Sequence, residues 1–529
     1  MRYLPYIIVV ALTLAFLGLG FWRSVYFWPL LITVPLAIQG TRDLFSKKHS
    51  LLRNYPLLAH FRWMIEGIRP EIRQYLLESD TEAMPFSREQ RSLIYQRAKN
   101  VNDKDPFGTN LEVYSEGYEW LNHSIAAKTK QKEPDRIDIG NDQCSKPYSS
   151  SLLNISAMSF GSLSGNAIRA LNKGAAKGGF AHDTGEGSVS VHHKEFGGDL
   201  IWEIGSGYFG CRADDGGFHA DKFADLAVDD QIKMIEIKLS QGAKPGHGGV
   251  LPGNKVTPEI AEARGIPVGK DCISPSHHSA FSTPIEMLEF IAQLRDLSGG
   301  KPTGFKLCIG QHWEFMAVCK AMLETGIHPD FIVIDGAEGG TGAAPLELAD
   351  HVGTPLREGL VFAQNALVGA GLREHVKLGV SGKISSGFRM ASNMALGADW
   401  CNSARGFMFA VGCVQSQSCH TDRCPTGVAT QNPKRARALV VPDKAERVYQ
   451  YHLQTVAALS EVTATLGLEH PRELRPYHLS RRCSDSEIHT VDELYPWLKP
   501  GELLQETENK MYRQHWAWAQ ANSFQPAVS

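Results

Sequence analysis

The chain has 529 residues, of which 43% are hydrophobic and 50 are glycine, and a formal net charge of −3. That length supports one large domain with additions or two to three ordinary ones, with enough apolar residues to bury a core without covalent staples. No long basic or acidic block points to nucleic acid; ten cysteines without paired spacing exclude a secreted disulfide scaffold and favour a reducing compartment.

Between Arg2 and Arg23 lie twenty uncharged residues, YLPYIIVVALTLAFLGLGFW, enough at about 1.5 Å per residue to span a hydrocarbon core of about 30 Å. A second uncharged run, Ser24 to Thr41, carries Trp28, Pro29 and Pro35; prolines make it a poorer helix but do not bar it from a bilayer. Residues 1–41 are therefore expected to form a transmembrane hairpin. Arg42, Lys47, Lys48 and Arg53 follow it, against Arg23 alone in the turn, a bias that puts both ends and the rest of the chain on the cytoplasmic side of the inner membrane. A cleaved signal peptide is the alternative, but the run lacks a small-residue cleavage site and its apolar part is long. Residues 42–145 are charged, and PEIRQYLLESD and SREQRSLIYQRAKN place apolar residues at helical spacing, which predicts a helical adaptor.

From Ser151 a strand-then-helix rhythm repeats within a domain expected over 146–470. Candidate strands are 152–157, 180–183, 201–205, 234–239, 304–309, 330–335, 376–381 and 399–404, with clear helices over 163–177, 283–297, 312–325 and 385–396. Eight strands is the count of an α/β TIM (β/α)8 barrel. A doubly wound sheet is the rival, but no G-x-G-x-x-G follows a strand and opens a helix. Residues 471–529 form a C-terminal extension.

Barrels carry function in the loops after their strands. Those loops hold Met158-Ser159-Phe160-Gly161-Ser162, Thr184-Gly185-Glu186-Gly187, SQGAKPGHGGVLPGNKV with Gln241 and Lys244, DGAEGGTGAAP with Gly339, Gly340 and Thr341, Ser381-Gly382-Lys383, and Ala404-Arg405-Gly406. The last two stand where barrels commonly bind phosphate, although a lone Gly-Lys pair is a weak signal and Gly-rich loops are often only tight turns. Lys306 lies inside the apolar strand GFKLCIG: either it points into the mouth, where its charge stabilises a developing anion, or it snorkels outward. Glu186 is a candidate proton donor or a hydrogen-bonded loop carboxylate.

Beyond the last strand Cys413, Cys419 and Cys424 stand in a C-x5-C-x4-C pattern followed by Pro425. Three clustered thiolates suit an iron–sulfur cluster. Zinc with His420 as fourth ligand and three ordinary buried thiols are the alternatives on spacing.

This loop, GCVQSQSCHTDRCPTGVATQ, together with TGEG, QGAKPG-x-GG-x-LPG-x-KV, ISP-x-x-HH and GGTGAAP, resembles the FMN-binding domain of the glutamate synthase large subunit over about residues 145 to 470. The resemblance implies FMN at the C-terminal face of a TIM barrel, a 3Fe-4S cluster on Cys413, Cys419 and Cys424, and 2-oxoglutarate over the flavin. It assigns flavin contacts to Met158, Ser159, Gln241, Lys306 and the Gly339-Gly340-Thr341 turn, phosphate contacts to Ser381, Gly382, Lys383, Arg405 and Gly406, and the 2-oxo acid to Lys244 and Arg264. Glu186, Lys244 and Lys306 are the expected catalytic residues. Two positions depart from the family pattern, His247 where Glu is expected and Val250 where Gln is expected, which puts the substrate in doubt.

The implied reaction is reductive amination of a 2-oxo acid with ammonia or an amine, using electrons from ferredoxin or a membrane donor passed through the cluster to FMN. Full-length family members begin with a glutaminase bearing an N-terminal cysteine, whereas this sequence opens Met1-Arg2, so ammonia is expected from solution or a separate amidotransferase subunit. An N-methylglutamate-synthase-type enzyme and a membrane electron-transfer flavoprotein without amino-acid chemistry are the rival readings.

Overall fold

The computed structural model describes residues 2–46, 49–82, 84–101, 104, 106–131 and 133–527. Two units follow one another along the chain, Met1–Arg88 and Glu89–Ser529.

In the first, α1 (Leu4–Gly20) and α2 (Leu30–Leu44) are apolar helices joined by a short 3₁₀ turn over Ser24–Phe27. They lie close: a Cβ on Gly40 would stand 2.4 Å from the Tyr6 ring, and the Tyr6 and Thr41 hydroxyls meet at 2.9 Å. Leu14, Leu31, Ile32 and Ile38 face outward, and Trp22 and Trp28 are exposed at the turn end. The stretch Ser24–Leu44 is long and apolar enough to cross a membrane, while the apolar helix Leu4–Gly20 is shorter. At the other end of α2 the buried Asp43 carboxylate accepts the Leu57 N–H at 2.9 Å and meets His60, tying α2 to α3 (Leu58–Ile72). Lys47 and Lys48, part of the basic bias, fall outside the described residues.

The second unit opens with α4 (Arg88–Ala98). No helix follows among the described residues until α5 (Gly165–Gly178), so the expected adaptor is helical only in its first half. Residues 100–118 and 122–135 are rich in Asn, Asp, Gly, Ser and Lys and lack an apolar repeat, which leaves nothing to hold a helix against the core. The segment instead contributes strand Glu119–Leu121, which pairs antiparallel with Leu479–Arg482 of the C-terminal extension.

All eight expected barrel strands form: β1 (Leu153–Ile155), β2 (His182–Asp183), β3 (Leu200–Ile204), β4 (Ile232–Lys238), β5 (Thr303–Leu307), β6 (Phe331–Asp335), β7 (Lys377–Ser381) and β8 (Trp400–Ser403). They close into one parallel barrel in chain order, β8 pairing back onto β1. The helices α6 (Pro284–Leu297), α7 (His312–Thr325), α8 (Leu356–Gly369) and α9 (Gly387–Ala395) follow their strands. Thr283 caps α6 by accepting the Glu286 N–H while Glu286 reaches back, a capping box legible as T-P-x-E. α10 (Val441–Thr465) crosses α5 so tightly that a Cβ on Gly174 would meet Val448 at 2.5 Å.

The floor of the barrel is apolar. Ile139 and Tyr148, from a short hairpin of Arg136–Ile139 with Tyr148–Ser151, pack with Ala181, Ile201, Met234, Phe331, Val333 and Trp400. Beside it the fully buried Asp330 holds three elements: it accepts the Asn141 and Thr303 N–H groups, each at 2.8 Å, and Arg295 Nε of α6 at 3.0 Å. Removing one partner of a buried ion pair strands the other charge, at a cost of about 3–5 kcal/mol. Asp330→Ala should therefore lower the chemical-denaturation stability of the full-length protein by about that amount, with Asp330→Asn, which keeps hydrogen bonding, losing less; a loss for Asp330→Ala under about 1 kcal/mol would show that the clamp is dispensable.

Candidate functional site

The C-terminal ends of the strands carry a polar mouth made of three adjoining groups. The first surrounds Glu186, which follows β2. Its Oε2 lies 3.0 Å from Lys238 Nζ, at the end of β4, and Lys238 also donates to Gln241 Oε1 at 3.3 Å. Glycine makes the room: a Cβ on Gly249 would stand 2.1 Å from Glu186 Oε1 and one on Gly205 would stand 2.8 Å from Oε2. Lys244, buried, donates to Gly248 O at 2.9 Å. Arg264, also buried, donates through Nη2 to Phe160 O at 3.1 Å and reaches Ser159 Oγ at 3.4 Å.

Burial acts to raise the Glu186 pKa, but Lys238, Lys244 and Arg264 together hold it below the usual carboxyl value. The three cations favour the carboxylate form of Glu186, in keeping with the paired loop carboxylate that was one of its two expected roles. Lys244 is pulled down, first by burial and then by Lys238. Three cations around one carboxylate leave positive charge over, which suits an acidic ligand. His278, of the ISP-x-x-HH motif, supports the group from below by donating through Nε2 to Lys238 O at 2.9 Å. Of the two departures, His247 is exposed, its ring donating to Gly248 O at 2.9 Å and its N–H to Lys244 O at 3.3 Å, while Val250 lies in a two-residue strand paired with Cys272–Ile273.

The second group gathers Ser381, Gly382, Lys383, Arg405 and the 336–342 loop. Asp335 at the end of β6 accepts from Ser381 Oγ and from the Gly242 N–H at 2.8 Å. Arg405 donates to Glu338 O and sits where a Cβ on Gly340 would meet its Nη1 at 2.9 Å. Gly382 and Lys383 both have positive φ, 155° and 52°, folding the turn over this place. Lys383 is lowered by burial and by Arg405, against raising from Glu338 and Asp350; Arg405 is lowered by burial. Two crowded cations are what a bound phosphate relieves.

The third group is the cysteine loop. Gln415, Gln417 and Asp422 adopt positive φ, winding it around the thiols. Cys424 is lowered: burial opposes, but the N–H groups of Ala429, Thr426 and Val428 and the Thr426 hydroxyl point at its sulfur and win. The Gln415 N–H reaches Cys413 Sγ at 3.4 Å, and the buried Lys255 donates to Cys419 O at 3.1 Å. Tyr95 of α4 anchors the loop through Cys413 O at 2.7 Å. A Cβ on Gly342 would lie 3.4 Å from Cys419 Cβ, so the 336–342 loop touches Arg405 on one side and the cysteine loop on the other.

Lys306 is the register partner of Lys238 on the neighbouring strand; it is buried, paired with Glu203 and at 3.1 Å with Glu236. Met158 is buried, Ser159 Oγ pairs with Ser162 Oγ at 2.8 Å, Gly406 is packed under Tyr451, and Gly340 and Thr341 are exposed. The structure thus brings together Glu186, Lys244 and Arg264, and separately Ser381, Gly382, Lys383 and Arg405. Lys238, Glu203 and Glu236 went unrecognised in the sequence. The signal was available in IEIKLS, where Glu236 and Lys238 share one face of β4 and Ile235 and Ile237 the other.

The pattern described as the conserved region in glutamate synthase matches residues 95–469. The chain belongs to the glutamate synthase family. It is 38% identical over 508 residues to the glutamate synthase large subunit-like protein YerD of Bacillus subtilis, covering 88% of this chain and 96% of that one. It is 34% identical over 321 residues to an archaeal-type glutamate synthase [NADPH] of Thermotoga neapolitana, 60% of each chain, and 36% identical over 323 residues to the Bacillus subtilis glutamate synthase [NADPH] large chain, of which it spans 20%. Membership makes it an oxidoreductase of the class acting on CH–NH2 groups.

The Glu186 environment has a measurable signature. A carboxyl held low contributes stability that is present above its ordinary value of 4.5 and is lost as pH falls through the lowered value. Lys238→Met should raise the Glu186 pKa, so the acid-side loss of stability begins at higher pH than in the unaltered protein. An unchanged acid limb in the melting temperature would remove Lys238 as its controlling partner.

Proposed function

We propose that this chain is a membrane-anchored, glutamate-synthase-like flavo-iron–sulfur enzyme that reductively aminates a 2-oxo acid, with 2-oxoglutarate the leading candidate. The observation that carries the reading is the 336–342 loop, which joins the anion-binding Lys383–Arg405 group to the cysteine loop beside the acid-binding group. FMN, when bound, supplies two-electron hydride chemistry, and a 3Fe-4S cluster supplies one-electron exchange with ferredoxin or a membrane donor.

The residues fit both groups. Lys383, Arg405 and the Ser381–Gly382 turn would hold the FMN phosphate, with Gln241 and the Met158–Ser159 loop beside the ring. Cys413, Cys419 and Cys424 would hold the cluster. The N–H groups aimed at Cys424 suit a cluster thiolate.

Lys244 and Arg264 bind the carboxylates of the acid. Lys238 fixes Glu186 through Oε2, which leaves Oε1 to accept a hydrogen bond from the free amine and orient it toward the keto carbon, water leaving as the imine forms. The buried walls at Lys244 and Arg264 exclude water from the imine. The nitrogen comes from solution or from a separate amidotransferase subunit. The exposed apolar surfaces of α1 and α2 support a hairpin in the inner membrane with the barrel in the cytoplasm; partition of the full-length protein into the soluble fraction without detergent would overturn that part.

Reduced full-length protein mixed anaerobically with 2-oxoglutarate and ammonium should reoxidise its flavin. Lys244→Ala should weaken the acid's binding by about 1.5–3 kcal/mol, the worth of a charge-assisted contact, without loss of bound flavin; no reoxidation with either ammonium or methylamine refutes the amination reading. Metal analysis should give about three irons per chain, and Cys424→Ser should lose them, whereas stoichiometric zinc without iron would exclude the cluster.

A further inference from the structure

One charged group in the barrel is not used by the reaction above. Beneath the Glu186–Lys238 pair, Asp183 of β2, Glu203 of β3, Glu236 of β4 and Lys306 of β5 meet in the interior, none more than 4% exposed. The three carboxylates have oxygens within 4.8 Å of one another. Glu203 and Glu236 are register partners on adjacent strands, and Lys306 pairs with both. Asp335 on β6 is the other charged group acting on Lys306; on the neighbouring β7 the hydroxyl of Ser381 donates to it. Asp183 Oδ2 and Glu236 Oε2 have no hydrogen-bond partner among the described residues.

One lysine cannot balance three carboxylates in a dry interior, where an uncompensated charge costs far more than a retained proton. The layer therefore holds at least one proton on its acids near neutrality. Burial, reinforced by Glu203, lifts Glu236 to about 7 against the pull of Lys306, and burial with the two neighbouring glutamates raises Asp183 as well. A group half-protonated at working pH is poised to respond to new charge nearby. β4 carries Glu236 and Lys238 on the same face, two residues apart, so Glu236 lies one step of the strand, about 7 Å, below Lys238, and Lys306, in register with Lys238, joins the acids to the mouth.

We propose that Asp183, Glu203, Glu236 and Lys306 form a proton-buffering layer under the mouth, which takes up one proton from solvent onto a carboxylate when negative charge develops at the bound redox group, and releases it when that charge leaves. The coupling rests on the flavin reading; the proton-holding layer does not. The electrons come from the donor that reduces the flavin and the proton from water, so the layer itself is neither oxidised nor reduced. Lys306 serves as its internal cation.

The test has three readouts on the full-length protein. A group raised from 4.5 to about 7 gives stability that is full at low pH and lost as pH rises through about 7, so the melting temperature should fall across that window and Glu236→Gln should flatten the fall. In the unaltered protein the infrared stretch of a protonated carboxyl should be present at about pH 6 and fade by about pH 8, a measurement that needs no variant. On reduction near neutral pH in weak buffer, the unaltered protein should take up more protons per flavin than Glu236→Gln does. An unflattened stability curve, or absence of the infrared band, overturns the layer; equal proton uptake overturns the coupling. A preparation that binds no flavin would fail the functional reading while the first two readouts still decide the layer.

Discussion

A closed ring of parallel strands has an interior cut off from solvent, and every side chain directed into it must pack or pair. In this chain the lower interior packs, from Met234 and Val333 to Trp400, with Ile139 and Tyr148 brought in from outside the barrel. The upper interior pairs, first around Lys306 and then around Lys238 and Glu186. Hydrophobic burial sets the barrel's existence and the pairing of charge sets which atoms sit at its mouth. Everything proposed for the chemistry inherits its geometry from that division.

The mouth is held by close backbone approach as much as by side chains. Glycine at 249 lets Glu186 face Lys238, glycine at 340 lets Arg405 lie against the 336–342 loop, and glycine at 342 brings that loop to Cys419. At 249 and 340 a methyl group would displace a charged side chain, while at 342 it would just touch Cys419. Such contacts place three chemically different groups within one opening, using loops that rest on strands already fixed by the core.

The eight strands and four of the helices were legible in the sequence because most strands lie in apolar runs ended by a glycine-rich turn, as FIVIDG and KLGVSG show. The three cysteines were legible by their spacing, and Lys244 and Arg264 by resemblance. Charged residues within strands were not: period-two alternation tells which residues share a face but not whether that face is the inside of a barrel or its helix-covered outside. Glu203, Glu236 and Lys238 were missed on that account. The segment after Ala98 was misjudged for another reason. Its strand, Glu119–Leu121, gains its partner from residues some 360 positions later, a pairing no local pattern announces.

The hairpin of Ile139 and Tyr148 stops the lower end of the barrel. Under the reaction proposed above, acid, amine and product would therefore pass through the mouth at the upper end. An arriving molecule could not push a departing one out through the floor, so vacating the mouth would be a stage of each cycle. The cysteine loop meets the 336–342 loop beside that mouth, so electrons carried by a cluster there would arrive from the flank. Traffic of matter and traffic of charge would thereby keep separate lanes because a few apolar side chains close the other end of the barrel.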